Sequence, residues 1–186
     1  MTTIMRLEKF RSVRLAEDRP YEIEHELDRP ESPDPAEAAW LAAIARAPEG
    51  DFEELSAEGW TFRTLGDLEL SLPRGEAVEL TGTLLGREIT GGPYVVGAGK
   101  VAALRLQRSR FDAVALGDSY EWRLVCAITG CAQFEYWIAE TRETDHAWTL
   151  SIREIHRLVL PTYNGVVDDA VGLLADYQAV EWPPPF

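Results

Sequence analysis

The chain has 186 residues, a formal net charge of −14 and a hydrophobic content of 46%. This length and composition predict one globular domain, residues 1–186, with a hydrophobic core. The acidic balance argues against a nucleic-acid partner and against binding to an anionic membrane surface. Because we recognise no signal peptide, membrane span or disulfide framework in the sequence, we expect a cytoplasmic protein.

Residues 1–35 are predicted to form short strands followed by an acidic, proline-rich loop. In the segment Tyr21–Asp28, apolar and acidic residues alternate with the period of two that is typical of a β-strand. This period places four carboxylates on one face, about 6.6 Å apart, where they need water, a cation or a basic partner. We call this set the acidic comb, and its members are Glu22, Glu24, Glu26 and Asp28.

A histidine within the comb raises the question of a metal site. On a strand, His25 faces away from Glu24 and Glu26, so these three side chains do not converge on one ion. The two cysteines, Cys126 and Cys131, are interpreted as buried apolar side chains. The sequence therefore predicts no metal site.

A first helix is predicted over residues 36–48. Asp34 is a suitable N-cap, Pro35 suits the first helical position, and Glu37 completes a capping box. Apolar residues then recur with helical spacing, and Gly50 is a stop signal.

Residues 59–160 are predicted to form a sheet, because segments of strand length are separated by turn signals. The longest alternating run, "YEWRLVCAI", is interpreted as a strand. Residues 146–160 fit a strand or a helix, and we favour a strand that forms a hairpin with "FEYWIAE". A bulge near Arg153–Glu154 explains the shift in the apolar pattern. The expected facing rows are Phe134, Tyr136 and Ile138 opposite Trp148, Leu150 and Ile152.

A closing helix is predicted over residues 165–179. Together, the elements predict an α+β fold: a mainly antiparallel twisted sheet or open barrel with one helix near each end.

The segment "YVVGAGKVAALRLQRSRFDAVALGD" resembles the start of a dinucleotide-binding Rossmann unit. Gly97, Gly99 and Ala102 match its glycine pattern, and Asp118 lies near the position of its ribose-binding acid. The resemblance implies a pyrophosphate at a helix N-terminus. However, strand-like sequence lies on both sides of the segment, so we predict that the strand continues after Gly99 and that no cofactor is bound.

The segment "VALGDSYEW" is similar to the nucleophile block of the GDS-type esterases, which implies that Ser119 is a nucleophile. That family also needs oxyanion donors and an Asp-x-x-His, whereas Asp145 and His146 are adjacent here. Two roles of the triad have no candidate. We therefore expect no catalytic residues, and lean towards a protein that is not an enzyme.

Two function classes remain open. The first is a protein-interaction module, of the inhibitor, immunity or adaptor type, that presents the acidic comb to a basic partner. The second is a sheet or barrel protein that binds a hydrophobic small molecule, with a cofactor-free cyclase or isomerase as a variant. In this second class, aromatic residues would line the ligand pocket. The candidate pocket residues are Tyr120, Trp122, Tyr136 and Trp148.

Overall fold

The structure is a computed structural model. The residues that it describes are 4–11, 13–15, 34–47, 53–64, 72–73 and 75–181, with side chains up to residue 176. The acidic comb and Gly50 lie outside these residues, so the predictions about them stay predictions.

One mixed sheet contains the strands of the described residues. The strands are β1 (Met5–Arg6), β2 (Glu54–Ala57), β3 (Trp60–Thr64), β4 (Ala77–Leu84), β5 (Arg87–Gly97), β6 (Lys100–Gln107), β7 (Gln133–Glu143) and β8 (Thr149–Pro161). A 3-10 helix (Leu7–Arg11) follows β1. The α-helices are α1 (Pro35–Arg46), α2 (Ala113–Gly117), α3 (Tyr120–Thr129) and α4 (Val166–Glu181).

The strand order is β1-β5-β6-β7-β8-β3-β2, and β4 pairs with β5. The fold is therefore α+β, with a sheet that is not closed into a barrel. The sheet is mixed rather than purely antiparallel: β1–β5, β6–β7 and β3–β8 are parallel pairs, whereas β2–β3, β4–β5, β5–β6 and β7–β8 are antiparallel. The β6–β7 connection contains α2 and α3, and a crossover of this kind brings the second strand back parallel to the first.

Helix α3 corrects the interpretation of "YEWRLVCAI" as a strand. Every side chain from Tyr120 to Cys126 is buried, so this helix has no polar face that would reveal the helical period. Its end does carry a sequence signal. Gly130 has a φ of 68° and forms the left-handed C-cap that glycine adopts without steric cost.

The sheet is buried on both faces because β6 and β7 alternate between two apolar clusters. Val101, Ala103, Phe134 and Tyr136 contribute to a cluster that also contains residues of α3 and α4. Ala102, Leu104, Trp137 and Ala139 contribute to a second cluster, which contains residues of α1, β2 and β3. We call these sides the α3 face and the α1 face.

The start of α1 confirms the predicted N-cap. The Asp34 carboxylate accepts a hydrogen bond from the Ala36 N–H at 3.0 Å. Glu37, expected to close a capping box, instead accepts from the Leu106 N–H at 3.3 Å. Because β5 and β6 pair over only three residue pairs, from Val95–Ala102 to Gly97–Lys100, the N–H of Leu106 lies beyond that ladder.

Strand β8 forms the predicted hairpin with β7, but in a different register. Ile138 lies opposite His156 rather than in a row facing Trp148–Ile152, because the turn spans residues 144–148 and both strands are longer than expected. The predicted bulge is confirmed. Glu140 pairs with Glu154 and Thr141 with Ile152, which leaves Arg153 as the extra residue.

Candidate functional site

The apolar row on the α3 face of the hairpin ends in polar residues. On β7 the row is Phe134, Tyr136, Ile138 and then Glu140. Opposite them on β8 lie Leu160, Leu158, His156 and Glu154. Since residues two apart share a face of a strand, the same alternation that fills the core brings Glu140, Glu154 and His156 together.

These three side chains form a compact group. His156 Nε2 lies 3.0 Å from a Glu140 carboxylate oxygen and 3.7 Å from one of Glu154. One ligand atom from each of the three residues lies within 4.8 Å of the others. Nε2 is buried, yet within the described residues it has no hydrogen-bond partner. A buried polar atom of this kind calls for an explanation.

Phe111 fixes the orientation of two members of the group. Its ring stacks on the His156 imidazole, with 4.3 Å between centroids and 8° between planes. Its N–H donates to Glu140 Oε1 at 2.8 Å. This hydrogen bond lowers the pKa of Glu140, and the charges of His156 and Arg153 act in the same direction. The carboxylate is therefore held as an anion, and Oε1, the oxygen that accepts from Phe111, is the one that lies 3.0 Å from His156 Nε2.

A cleft of about 470 Å³ opens beside the group. Small-ligand pockets are typically about 300–1,000 Å³. The lining is mainly charged, with Phe111 and His156 as its aromatic rings. It consists of Arg108, Ser109, Arg110, Phe111, Glu140, Thr141, Arg153, Glu154 and His156.

The geometry of the group fits a divalent metal ion. Ligand atoms about 2.0–2.2 Å from one metal lie about 3–3.5 Å from each other, close to the 3.0 and 3.7 Å separations seen here. One imidazole and two carboxylates suit Zn²⁺, Mn²⁺ or Fe²⁺. Three protein ligands also leave coordination positions open, as in catalytic metal sites.

The sequence patterns did not predict this group. Glu154 and His156 are two positions apart, and on a strand this spacing places both side chains on one face. The sequence therefore contained enough information to predict that these two residues lie together. The third member, Glu140, could not be predicted from one segment, because only the register of the hairpin brings it next to Glu154 and His156. His25, the histidine weighed earlier, lies outside the described residues.

The four candidate pocket aromatics are not brought together. Tyr120, Trp122 and Tyr136 are buried in the cluster of the α3 face. Trp148 is 64% exposed and has its edge-on ring contact with Trp60. The candidate pocket residues thus divide between the buried cluster of the α3 face and an exposed position beside Trp60.

The two segments that resemble known families have a different local structure from the one that each family would require. Gly99 has a φ of 70° and lies in the tight turn between β5 and β6, so the glycines open no helix. The strand that was predicted to continue after Gly99 is β6. Ser119 is fully buried and donates to the Leu116 carbonyl at 2.7 Å. A buried hydroxyl used in this way is not presented as a nucleophile.

A second ionic group lies in the interior, around Glu121 of α3. Arg105 Nη2 and Arg11 Nε contact its carboxylate at 2.5 and 3.1 Å, and the Tyr94 hydroxyl donates to it at 3.1 Å. Glu37 joins the group through Arg105, at 3.4 Å. Glu121 is fully buried, and burial raises its pKa to about 7 against the opposing charge of Arg11. We interpret this group as structural.

Comparison with known proteins adds little. No protein-family model matches the chain, and no curated protein matches it. A solved structure similar in part is that of SSO0001, with a TM-score of 0.38, 12% sequence identity and coverage of 60% of this chain and 52% of that chain. The chain thus spans about half the length of that protein, and a likeness this weak supports no conclusion about function.

Within the helices that the structure describes, none is both long and apolar enough to cross a lipid bilayer.

Proposed function

We propose that this chain binds a divalent metal ion through Glu140, Glu154 and His156, and acts as a metal-dependent binder of a small molecule in the adjoining cleft. The observation that carries the proposal is His156 Nε2, a buried nitrogen with no hydrogen-bond partner among the described residues and two carboxylates within 3.7 Å. A bound metal ion would satisfy this nitrogen, whose contact with Glu140 at 3.0 Å does not have hydrogen-bond geometry.

Two neighbours support this assignment. The Phe111 N–H holds one oxygen of Glu140, which resembles the outer-shell hydrogen bonds that orient metal-ligating carboxylates. The cleft beside the group provides room for a ligand at the open coordination positions. A histidine–carboxylate ion pair alone is the competing interpretation, and it makes no use of the cleft.

The wild-type protein should bind one equivalent of Mn²⁺ or Zn²⁺, and the variants Glu140→Gln and His156→Ala should bind it far more weakly. Loss of an outer-shell partner already costs about 10–100-fold in metal affinity, so loss of a ligand should cost at least as much. Isothermal titration calorimetry gives the stoichiometry and the Kd. Circular dichroism spectra check that each variant is folded.

The matched control is His146→Ala, which removes an exposed histidine from the turn of the same hairpin. Its metal affinity should equal that of the wild type. If His146→Ala weakens binding as much as His156→Ala does, the bound metal lies elsewhere. A wild-type protein that binds neither ion at millimolar concentration would refute the proposal.

A second proposal rests on the sequence pattern of the acidic comb: the chain is an interaction module for a basic protein partner. The alternating pattern predicts that these four carboxylates share one face of a strand, and in a protein of net charge −14 they would attract a basic surface. Attraction between exposed charges is screened over about 8 Å at physiological salt, so such a complex should weaken as salt rises.

Replacing Glu22, Glu24 and Glu26 together by lysine should abolish capture of a basic partner in a pull-down from native cytosol, read by mass spectrometry. Rim charges act mainly on the association rate, so added salt should slow association more than it speeds dissociation. If the wild type and the triple variant recover the same proteins, the comb is only a solvated face.

A further inference from the structure

We infer that the small molecule held in this cleft is a phosphate-type anion, which completes the coordination of the metal and pairs with Arg153 and Arg110. This inference rests on the metal centre proposed above. It adds the chemical class of the ligand and the residues that select it.

The bulge in β8 is the structural reason for Arg153 being in the cleft. In a regular strand, Arg153 and Glu154 would point to opposite faces. Arg153 is the extra residue at the bulge, and both side chains border the cleft. Bulges re-aim side chains in this way beside functional sites.

The segment between β6 and α2 supplies the other arginines. Arg108 is paired with Glu143 at 2.9 Å, where both side chains are exposed. Arg110 lines the same cleft one residue before Phe111, whose N–H contacts Glu140. The cleft thus has one arginine engaged at its rim, and two more, Arg110 and Arg153, in the lining that also contains the proposed metal ligands.

The charge balance favours an anion once the metal is bound. Two glutamates neutralise a divalent ion, and the neutral imidazole adds no charge. Arg110 and Arg153 then leave the cleft with a formal charge of +2. Guanidinium groups match phosphate and carboxylate oxygens bidentately, and a metal with open positions binds the same oxygens. A neutral or apolar ligand would leave both arginines without a counter-charge.

The probe is inorganic phosphate, tested through its effect on Mn²⁺ affinity. Free Mn²⁺ is followed by electron paramagnetic resonance in phosphate and in chloride at matched ionic strength, with a protein-free titration to correct for the Mn²⁺–phosphate complex. Coupling between two ligands is typically about 5–150-fold and is reciprocal. Phosphate should therefore tighten Mn²⁺ binding about tenfold in the wild type.

Arg153→Gln and Arg110→Gln should lose most of this coupling while retaining Mn²⁺ binding in chloride. Removal of a positive charge near the metal should leave that affinity unchanged or make it tighter, a result that a misfolded variant would not give. Arg46→Gln is the matched control. Arg46 lies on α1, which packs on the other face of the sheet, and its exposed partner is Glu58 at 3.5 Å. This variant should keep the full coupling.

The two proposals fail in different ways. Mn²⁺ binding that is equal in phosphate and chloride would overturn the anion inference and leave the metal centre standing. Coupling that survives in both arginine variants would also overturn it, because the anion would then contact the metal alone. Absence of Mn²⁺ binding in either medium would refute the metal centre and, with it, this inference.

Discussion

Replacing Arg105 by methionine should lower the free energy of unfolding by about 3–5 kcal/mol at pH 8, the cost of removing one partner of a buried ion pair. Arg105 is 7% exposed and contacts the fully buried carboxylate of Glu121 at 2.5 Å. Methionine fills a similar volume, so the loss reports the missing positive charge beside Glu121 and Glu37, for which Arg11 is then the remaining cation, rather than a cavity. Urea melts of both proteins measure it.

The cost should be smaller at pH 5 than at pH 8. Burial raises the folded-state pKa of Glu121 from 4.5 to about 7. Because the folded state then binds the proton more tightly than the unfolded state, the stability from this group is complete below pH 4.5 and is lost as the pH rises through 7. Without Arg105 the pKa of Glu121 should rise further. At pH 5 the Glu121 carboxyl of the variant is therefore protonated, so it carries no charge that needs Arg105 as a partner.

Arg63→Met is the control for this prediction. Arg63 contacts Glu54 at 3.0 Å, and about half of each side chain is exposed to solvent. Exposed ion pairs contribute about 0.2–1 kcal/mol, so this variant should lose little at either pH. If Arg105→Met loses the same small amount, water reaches the Glu121 group and solvates its charges.

Sequence patterns predicted the local structure well where the signal lies within one segment. The N-cap at Asp34 and the bulge at Arg153 follow from residue types and from a shift in alternation, which are local signals. The prediction of a strand where α3 lies was wrong for a physical reason: every side chain from Tyr120 to Cys126 is buried. A helix without a polar face has no visible period, and its C-cap glycine, Gly130, was the remaining clue.

The candidate site depended on information that no single segment contains. The pairing of Glu140 with Glu154 is set by the length of the hairpin turn, and a slip of one residue would send the two carboxylates to opposite faces. Phe111 reaches the same place through the β6–α2 connection, from a segment more than 25 residues away. Sequence order alone predicts neither contact, although it does place Glu154 and His156 on one face.

The variant Ile138→Ala should lose about 2–5 kcal/mol of unfolding free energy, the cost of truncating a buried aliphatic side chain. Ile138 is 2% exposed and lies between Tyr136 and Glu140 in the row on the α3 face. The removed atoms leave a cavity because β7 is paired at this position with both β6 and β8, so the site collapses only partly. Chemical denaturation at constant m-value measures the loss.

Two further variants serve as controls for the Ile138→Ala measurement. Val159→Ala truncates a β-branched residue on the paired strand that is 39% exposed, and surface substitutions usually change stability by within about 0.5 kcal/mol. Ile138→Val removes one methylene and should cost about 0.5–1.5 kcal/mol. Because His156 lies opposite Ile138, the alanine variant should also loosen the metal ligand and weaken Mn²⁺ binding, whereas Val159→Ala should not. A loss well under 1 kcal/mol for Ile138→Ala would mean that this row faces solvent, which would remove the support on which the Glu140–Glu154–His156 group depends.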